Sequence, residues 1–231
     1  MKTLIFEQLH EPETNTYTYL VGCPTTHKAV IIDPVASEVE HYLERIKALG
    51  LTLVHTMDTH VHAVHVTAAS LLREATGCTS VLHASAGVAC ADVLAGDDEM
   101  LKVGDLDIKV LHTPGHTDAC VSYLIGDRVF TGDALLIDGC GRTDFQAGDA
   151  GKLYDSIHQK IFSLPDDTLV YPGHDYNQRR VSSVGEQKDR NARLGNNRSR
   201  EDFIELMNNL DLPYPKQIDA ALPANMACGN S

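Results

Sequence analysis

The sequence predicts one layered α/β domain over residues 1–231, and three observations predict it. Strand-like and helix-like segments are interspersed in both halves of the chain. Four loops carrying histidine or aspartate each follow a predicted strand. The composition, 43% hydrophobic and 22% charged, is that of a globular chain, and 231 residues suffice for one substantial core.

The first strands are read at Thr16–Val21 and Ala29–Ile32, rich in β-branched and aromatic residues. Asp33-Pro34 ends the second. Ser37 and Glu40 offer a capping box for a helix carrying Val39, Leu43, Ile46 and Leu49 at helical spacing, with Gly50 placed to cap its end. Leu51–Met57 reads as a buried strand delivering the chain into Thr59-His60. A helix at Ala68–Ala75 stops at Gly77. Further strands are expected at Ser80–Leu82, Leu106–Leu111, Val121–Ile125, Val129–Thr131 and Leu169–Tyr171, with a tight hairpin at Gly126-Asp127. Helices are expected at Lys152–Phe162 and, behind Ser199 as N-cap, at Arg200–Leu210. The polar stretch Asn177–Arg200 between them reads as a solvated loop despite its seven basic residues.

A formal net charge of −13 argues against nucleic-acid and anionic-membrane partners, which need a positive surface. No apolar run reaches the roughly 18–20 residues of a membrane span. The first residues turn acidic by Glu7, without the apolar core of a signal peptide or the arginine-rich pattern of a transit peptide, so a cytoplasmic location is expected. Cys23, Cys78, Cys90, Cys120, Cys140 and Cys228 are scattered with no C-x-x-C pair. That spacing suggests neither a zinc knot nor a disulfide framework, and a reducing compartment is the expectation.

Twelve histidines are the unusual feature. The segments that matter are Thr59-His60-Val61-His62-Ala63-Val64-His65, Thr113-Pro114-Gly115-His116-Thr117, Thr131-Gly132-Asp133-Ala134 and Tyr171-Pro172-Gly173-His174-Asp175. Gly115, Gly132 and Gly173 let the backbone turn sharply before the polar side chain. His60 and His62, two apart in extended chain, are expected to point the same way. Imidazoles and carboxylates gathered on loop tips are what a divalent transition metal requires. A lone His116 or His174 would more often be a hydrogen-bonded core or surface residue, but the grouped segments go beyond that. His10, His27, His41, His55, His83, His112 and His158 lack such context.

The order H-x-H-x-x-H, P-G-H-T, T-G-D, P-G-H resembles the metallo-β-lactamase fold superfamily over most of the chain. The resemblance implies an αββα sandwich with a metal at one edge. Gly139-Cys140-Gly141-Arg142-Thr143-Asp144-Phe145-Gln146, His174-Asp175-Tyr176 and Pro223-Ala224-Asn225-Met226 are similar to the persulfide dioxygenases. That resemblance implies one Fe(II) per chain on His60, His116 and Asp133. It further implies glutathione contacts from Arg142 and Tyr176, with glutathione persulfide and O₂ converted to sulfite and free thiol. A homodimer is also implied. Valine at 64 replaces the aspartate found in most members of the superfamily. In dinuclear zinc hydrolases that aspartate ligates a second metal with the histidines matching His65 and His174. Valine has no donor atom, so His62, His65 and His174 are expected to be a surrounding shell or a vestigial second site.

Two other readings compete. A glyoxalase-II-like thioester hydrolase predicts two metals and a bridging hydroxide, against which Val64 and the Gly141–Gln146 segment both speak. A non-catalytic member of the fold is supported by Val64 alone, and retention of His60, His116 and Asp133 speaks against it. Iron content and oxygen uptake separate all three.

Overall fold

Strands whose two faces are both apolar decide the layering. In β2 (Thr16–Gly22), Tyr17, Tyr19 and Val21 point one way and Leu20 the other, and all four are buried. In β3 (Lys28–Ile32), Val30 and Ile32 share the first side and Ala29 and Ile31 the second. A sheet buried on both faces needs a layer on each. The computed structural model, which describes residues 3–229, supplies both layers.

The first sheet runs in the order β1 (Ile5–Glu11), β2, β3, β4 (Thr52–Met57), β5 (Thr79–His83), β6 (Val93–Ala95). The second comprises β7 (Met100–Val103), β8 (Leu106–His112), β9 (Val121–Ile125), β10 (Arg128–Gly132), β11 (Leu169–Pro172) and β12 (Ser182–Ser183), in order from one edge to the other. Tyr17, Tyr19, Ile32, Met57, Ile108, Val110, Tyr123 and Phe130 fill the space between the sheets. Helices α1 (Val39–Ala48) and α2 (Ala69–Thr76) cover the first sheet through Tyr42, Ile46 and Leu72. Helices α3 (Ala150–Ser156), α4 (Val184–Arg190) and α5 (Arg200–Asn208) cover the second through Leu153, Val184, Phe203 and Met207. This is the expected αββα sandwich. A last helix, α6 (Ile218–Met226), sets Leu222 and the following Cys228 against Val61, Leu82 and Val88.

Several local expectations hold. Ser199 caps α5 by accepting from the Asp202 amide at 3.1 Å, and Gly126 takes φ 61° in the β9–β10 turn. Others do not. Ser37 lies inside a short 3₁₀ turn, Ala36–Glu38, so α1 starts after it with no side-chain cap. The helix read at Lys152–Phe162 starts earlier, behind the Asp149 cap, and widens into a π-turn over Ile157–Ile161. The stretch read as a solvated loop contains β12 and α4, capped by Ser183. The expectation of no disulfide is also corrected. Cys90 and Cys228, 138 residues apart, are bonded, because α6 carries the chain end back to the loop after β5.

Phe203 is fully buried on α5 among Leu153, Ile157 and Met207. Phe203→Ala is expected to lower stability by about 3–5 kcal/mol, read as a shift of the urea midpoint at unchanged m-value. No helix among the described residues is long and apolar enough to cross a membrane.

Candidate metal centre

The four loops start where β4, β8, β10 and β11 end, so they converge at one rim of the sandwich. There one ligand atom each from His60, His116 and Asp133 lies within 4.8 Å of the others. The His60 and His116 rings are nearly perpendicular at 5.0 Å, and His116 Nε2 is 3.7 Å from Asp133 Oδ2.

Backbone and neighbouring side chains set the orientation of each group. His116 Nδ1 is 2.7 Å from the Arg142 carbonyl oxygen. A carbonyl only accepts, so Nδ1 carries the hydrogen and Nε2 keeps its lone pair. Thr59 Oγ1 donates to Asp33 Oδ2 at 2.9 Å, and the same oxygen is 3.0 Å from His60 Nδ1. With its own hydrogen committed, Thr59 accepts from His60 Nδ1 and leaves Nε2 free. Gly132 permits this contact: at φ 50° a Cβ there would sit 2.3 Å from Thr59 Oγ1. Gly141 lets the Arg142 loop approach, since its Cβ would lie 2.7 Å from His116 Nδ1. Gly115 also has positive φ, whereas Gly173 does not. Gly173 serves close approach instead, a Cβ there falling 2.8 Å from Asp133 Oδ1.

Charge states suit metal binding. Burial, reinforced by His62 and His116, pushes the His60 pKa well below its ordinary value, keeping the imidazole neutral. Burial alone would raise the Asp133 pKa, but His174, hydrogen-bonded to it, outweighs burial and holds the carboxyl well below the usual carboxylate range. Two imidazoles and one carboxylate are a donor set that fits non-haem Fe(II).

The remaining histidines do not join this set. His62 lies beside His60, ring centroids 4.2 Å apart, but its Nε2 faces Asp33 at 3.1 Å and Asp58 at 3.5 Å. Burial opposes its protonation, yet Asp33 and Asp58 prevail and its pKa is pushed up to about 10. His65 Nδ1 and His174 Nε2 both lie 3.2 Å from Thr16 Oγ1, and His174 Nδ1 reaches Asp133 Oδ1 at 2.6 Å. His62 Nδ1 and His65 Nε2 are buried without a hydrogen-bond partner among the described residues. Val64→Asp is therefore expected to leave the protein at one metal per chain, because His174 has both ring nitrogens engaged, with Thr16 and Asp133, and only His65 Nε2 would remain to join the new carboxylate. Two metals per chain after zinc loading, measured by elemental analysis, would contradict this.

A cavity of about 1000 Å³ opens onto His60, His116 and Asp133. Arg142 lines it but is not free: it forks onto Asp144, donates to the Pro213 carbonyl at 2.7 Å and stacks on Phe145. Tyr176 also lines it, 70% exposed, its ring stacked on His174. Arg193 and Lys216 line the same wall and make no ion pair among the described residues. They were missed in the sequence because neither stands in a motif. Asp33 was read only as a strand terminator, and Thr59 and Thr16 carry no signal of their own.

The metallo-beta-lactamase superfamily model matches residues 12–174. The mouse (Mus musculus) protein named persulfide dioxygenase ETHE1, mitochondrial, is 46% identical over 229 residues, 98% of this chain and 89% of its own. The crystal structure of ETHE1 from Myxococcus xanthus matches with a TM-score of 0.95 at 55% identity, covering 97% of this chain and 99% of that one. The hydroxyacylglutathione hydrolase of Rhodospirillum rubrum is more distant, 34% identical over 189 residues, 79% of this chain and 70% of its own.

Proposed function

This chain belongs to the metallo-beta-lactamase superfamily and, within it, to the persulfide dioxygenases, and from that premise we propose that it oxidises glutathione persulfide to sulfite and glutathione at one iron held by His60, His116 and Asp133. The observation that carries the reading is the donor set: two imidazoles and one carboxylate converge, while position 64 offers no donor atom and His174 has both ring nitrogens engaged with Thr16 and Asp133. Ferrous iron held by His60, His116 and Asp133 would supply the redox chemistry towards O₂ that zinc lacks.

The chain's own residues do the rest. The Arg142 carbonyl and Thr59 hydroxyl fix the tautomers of His116 and His60. His174 holds one oxygen of Asp133, so the carboxylate presents its other oxygen towards His116. Arg193 and Lys216 on the cavity wall offer cations for the carboxylates of a glutathione moiety. Arg142, already paired with Asp144, offers the edge of its guanidinium and ties the Pro213 segment to the site. Tyr176, exposed and lining the cavity, offers its hydroxyl to the same moiety.

Arg142→Ala is expected to raise KM for glutathione persulfide about tenfold, the size of one lost charged hydrogen bond, with kcat changing much less. Wild-type steady-state kinetics in this variant would remove Arg142 from substrate binding. The test of the function itself is metal exchange. Iron-loaded protein is expected to form sulfite from glutathione persulfide, and zinc-loaded protein to form none. Hydrolysis of a glutathione thioester by the zinc form, with no sulfite from the iron form, would assign the hydrolase activity instead. The same proposal takes the enzyme as a cytoplasmic homodimer with no nucleic-acid or membrane partner. Sedimentation velocity checks the dimer.

A further inference from the structure

The C-terminal segment touches the centre in two places and is fastened in a third. Residues 212–218 form part of the substrate cavity wall. Asn225, 4% exposed on α6, donates to the His62 and His65 carbonyls and accepts from the Thr67 amide, each at 2.8 Å. One side chain thus fixes the backbone of the loop that starts with His60. Three residues on, Cys228 is bonded to Cys90 in the loop after β5. A small cavity of about 10 Å³ lies between the clasp and the loop, lined by Asp58, His62, Asn225 and Cys228 among others.

Access to the two sulfurs is unequal. Cys228 is 1% exposed, whereas Cys90 is half-buried on a surface loop. The other four cysteines are buried thiols. Accessible disulfides are the exchangeable ones, and in thiol-rich compartments disulfides act transiently or as sensors. We propose that Cys90–Cys228 is a reversible redox clasp, opened by a low-molecular-weight thiol and closed by its disulfide, that sets how firmly the C-terminal segment holds the His60–Thr67 loop and the cavity wall.

Opening proceeds by attack of one thiolate on the Cys90 sulfur, expelling the Cys228 thiolate, which takes up a proton. A second thiolate then attacks the small-molecule sulfur of the mixed disulfide and releases Cys90. In sum, the protein disulfide and two thiols give the protein dithiol and one low-molecular-weight disulfide, and closing is the reverse. The clasp does not depend on which metal or persulfide the centre takes, and its test involves neither persulfide nor oxygen.

The test is hydrogen–deuterium exchange and thiol alkylation of the metal-loaded protein in excess reduced glutathione, then in excess glutathione disulfide. Reduction is expected to expose Cys90 and Cys228 to alkylation while Cys23, Cys78, Cys120 and Cys140 stay protected. Amide exchange over residues 218–229 and at Thr67, whose amide is held by Asn225, is expected to rise about tenfold or more, the mark of a local opening. Glutathione disulfide is expected to reverse both changes, and Cys90→Ser to show the fast exchange without reductant. The proposal is overturned if exchange at Thr67 and 218–229 ignores the redox state. It is equally overturned if the pair opens only when all six cysteines become reactive together, or if glutathione disulfide fails to close it.

Discussion

Alanine in place of His116 is expected to strip the protein of iron and abolish turnover. Imidazole Nε2 is one of only three donors in the convergent set, and its orientation is fixed by the Arg142 carbonyl. Removing a group that merely orients a ligand costs about 10–100-fold in metal affinity. Removing the ligand itself should cost more than about 100-fold and leave the purified variant essentially metal-free. The fold should persist, because His116 sits at the rim of the cavity rather than in a core cluster. Elemental analysis and circular dichroism on one sample check both halves. Full iron occupancy in the variant would mean that another residue completes the site.

Asp33→Ala should be the most damaging substitution that touches no proposed ligand. Asp33 is 1% exposed and accepts from the Thr59 amide at 2.7 Å and the Thr59 hydroxyl at 2.9 Å. It also faces His62 Nε2 at 3.1 Å. Alanine leaves His62 with Asp58 as its only charged partner among the described residues and removes the carboxylate that accepts from the Thr59 amide. Breaking a buried pair from one side costs about 3–5 kcal/mol, read here by urea unfolding of the metal-free protein. Iron affinity should fall as well, about 10–100-fold, because Thr59 no longer directs its hydrogen away from His60. Asp33→Asn separates the two effects: it keeps an acceptor for Thr59 while removing the charge opposite His62. A loss below about 1 kcal/mol in the alanine variant would show that the Asp33 network does not hold the loop.

The layered fold was legible because its central strands are apolar on both faces and its turns carry strong local signals. Val121–Ile125, the Gly126-Asp127 turn and the Ser199 cap stand as read. β1, β6 and β7 were not readable. β1 is half-buried along most of its length and mixes charged with apolar residues, and the other two are short edge segments. α6 was hidden by Pro223 inside it. The gathering of the polar loops was legible for a different reason: a metal needs particular side-chain chemistry, so His116, Asp133 and His174 stand out in glycine-flanked motifs and His60 in H-x-H-x-x-H, while the choice of His60, His116 and Asp133 as ligands rested on the family resemblance. The residues that aim them do not stand out. Asp33, Thr59, Thr16 and Asn225 act through hydrogen bonds formed across 1 to 163 residues of sequence, and ordinary polar residues leave no pattern marking such contacts. The Cys90–Cys228 bond was out of reach for the same reason, since only the return of α6 to the first sheet brings the two together.

Oxygen consumption by anaerobically iron-loaded protein on addition of glutathione persulfide, with metal content determined on the same sample, tests the central claim most directly. The account predicts oxygen uptake with sulfite as product at one iron per chain. Full iron occupancy with no oxygen uptake would contradict it.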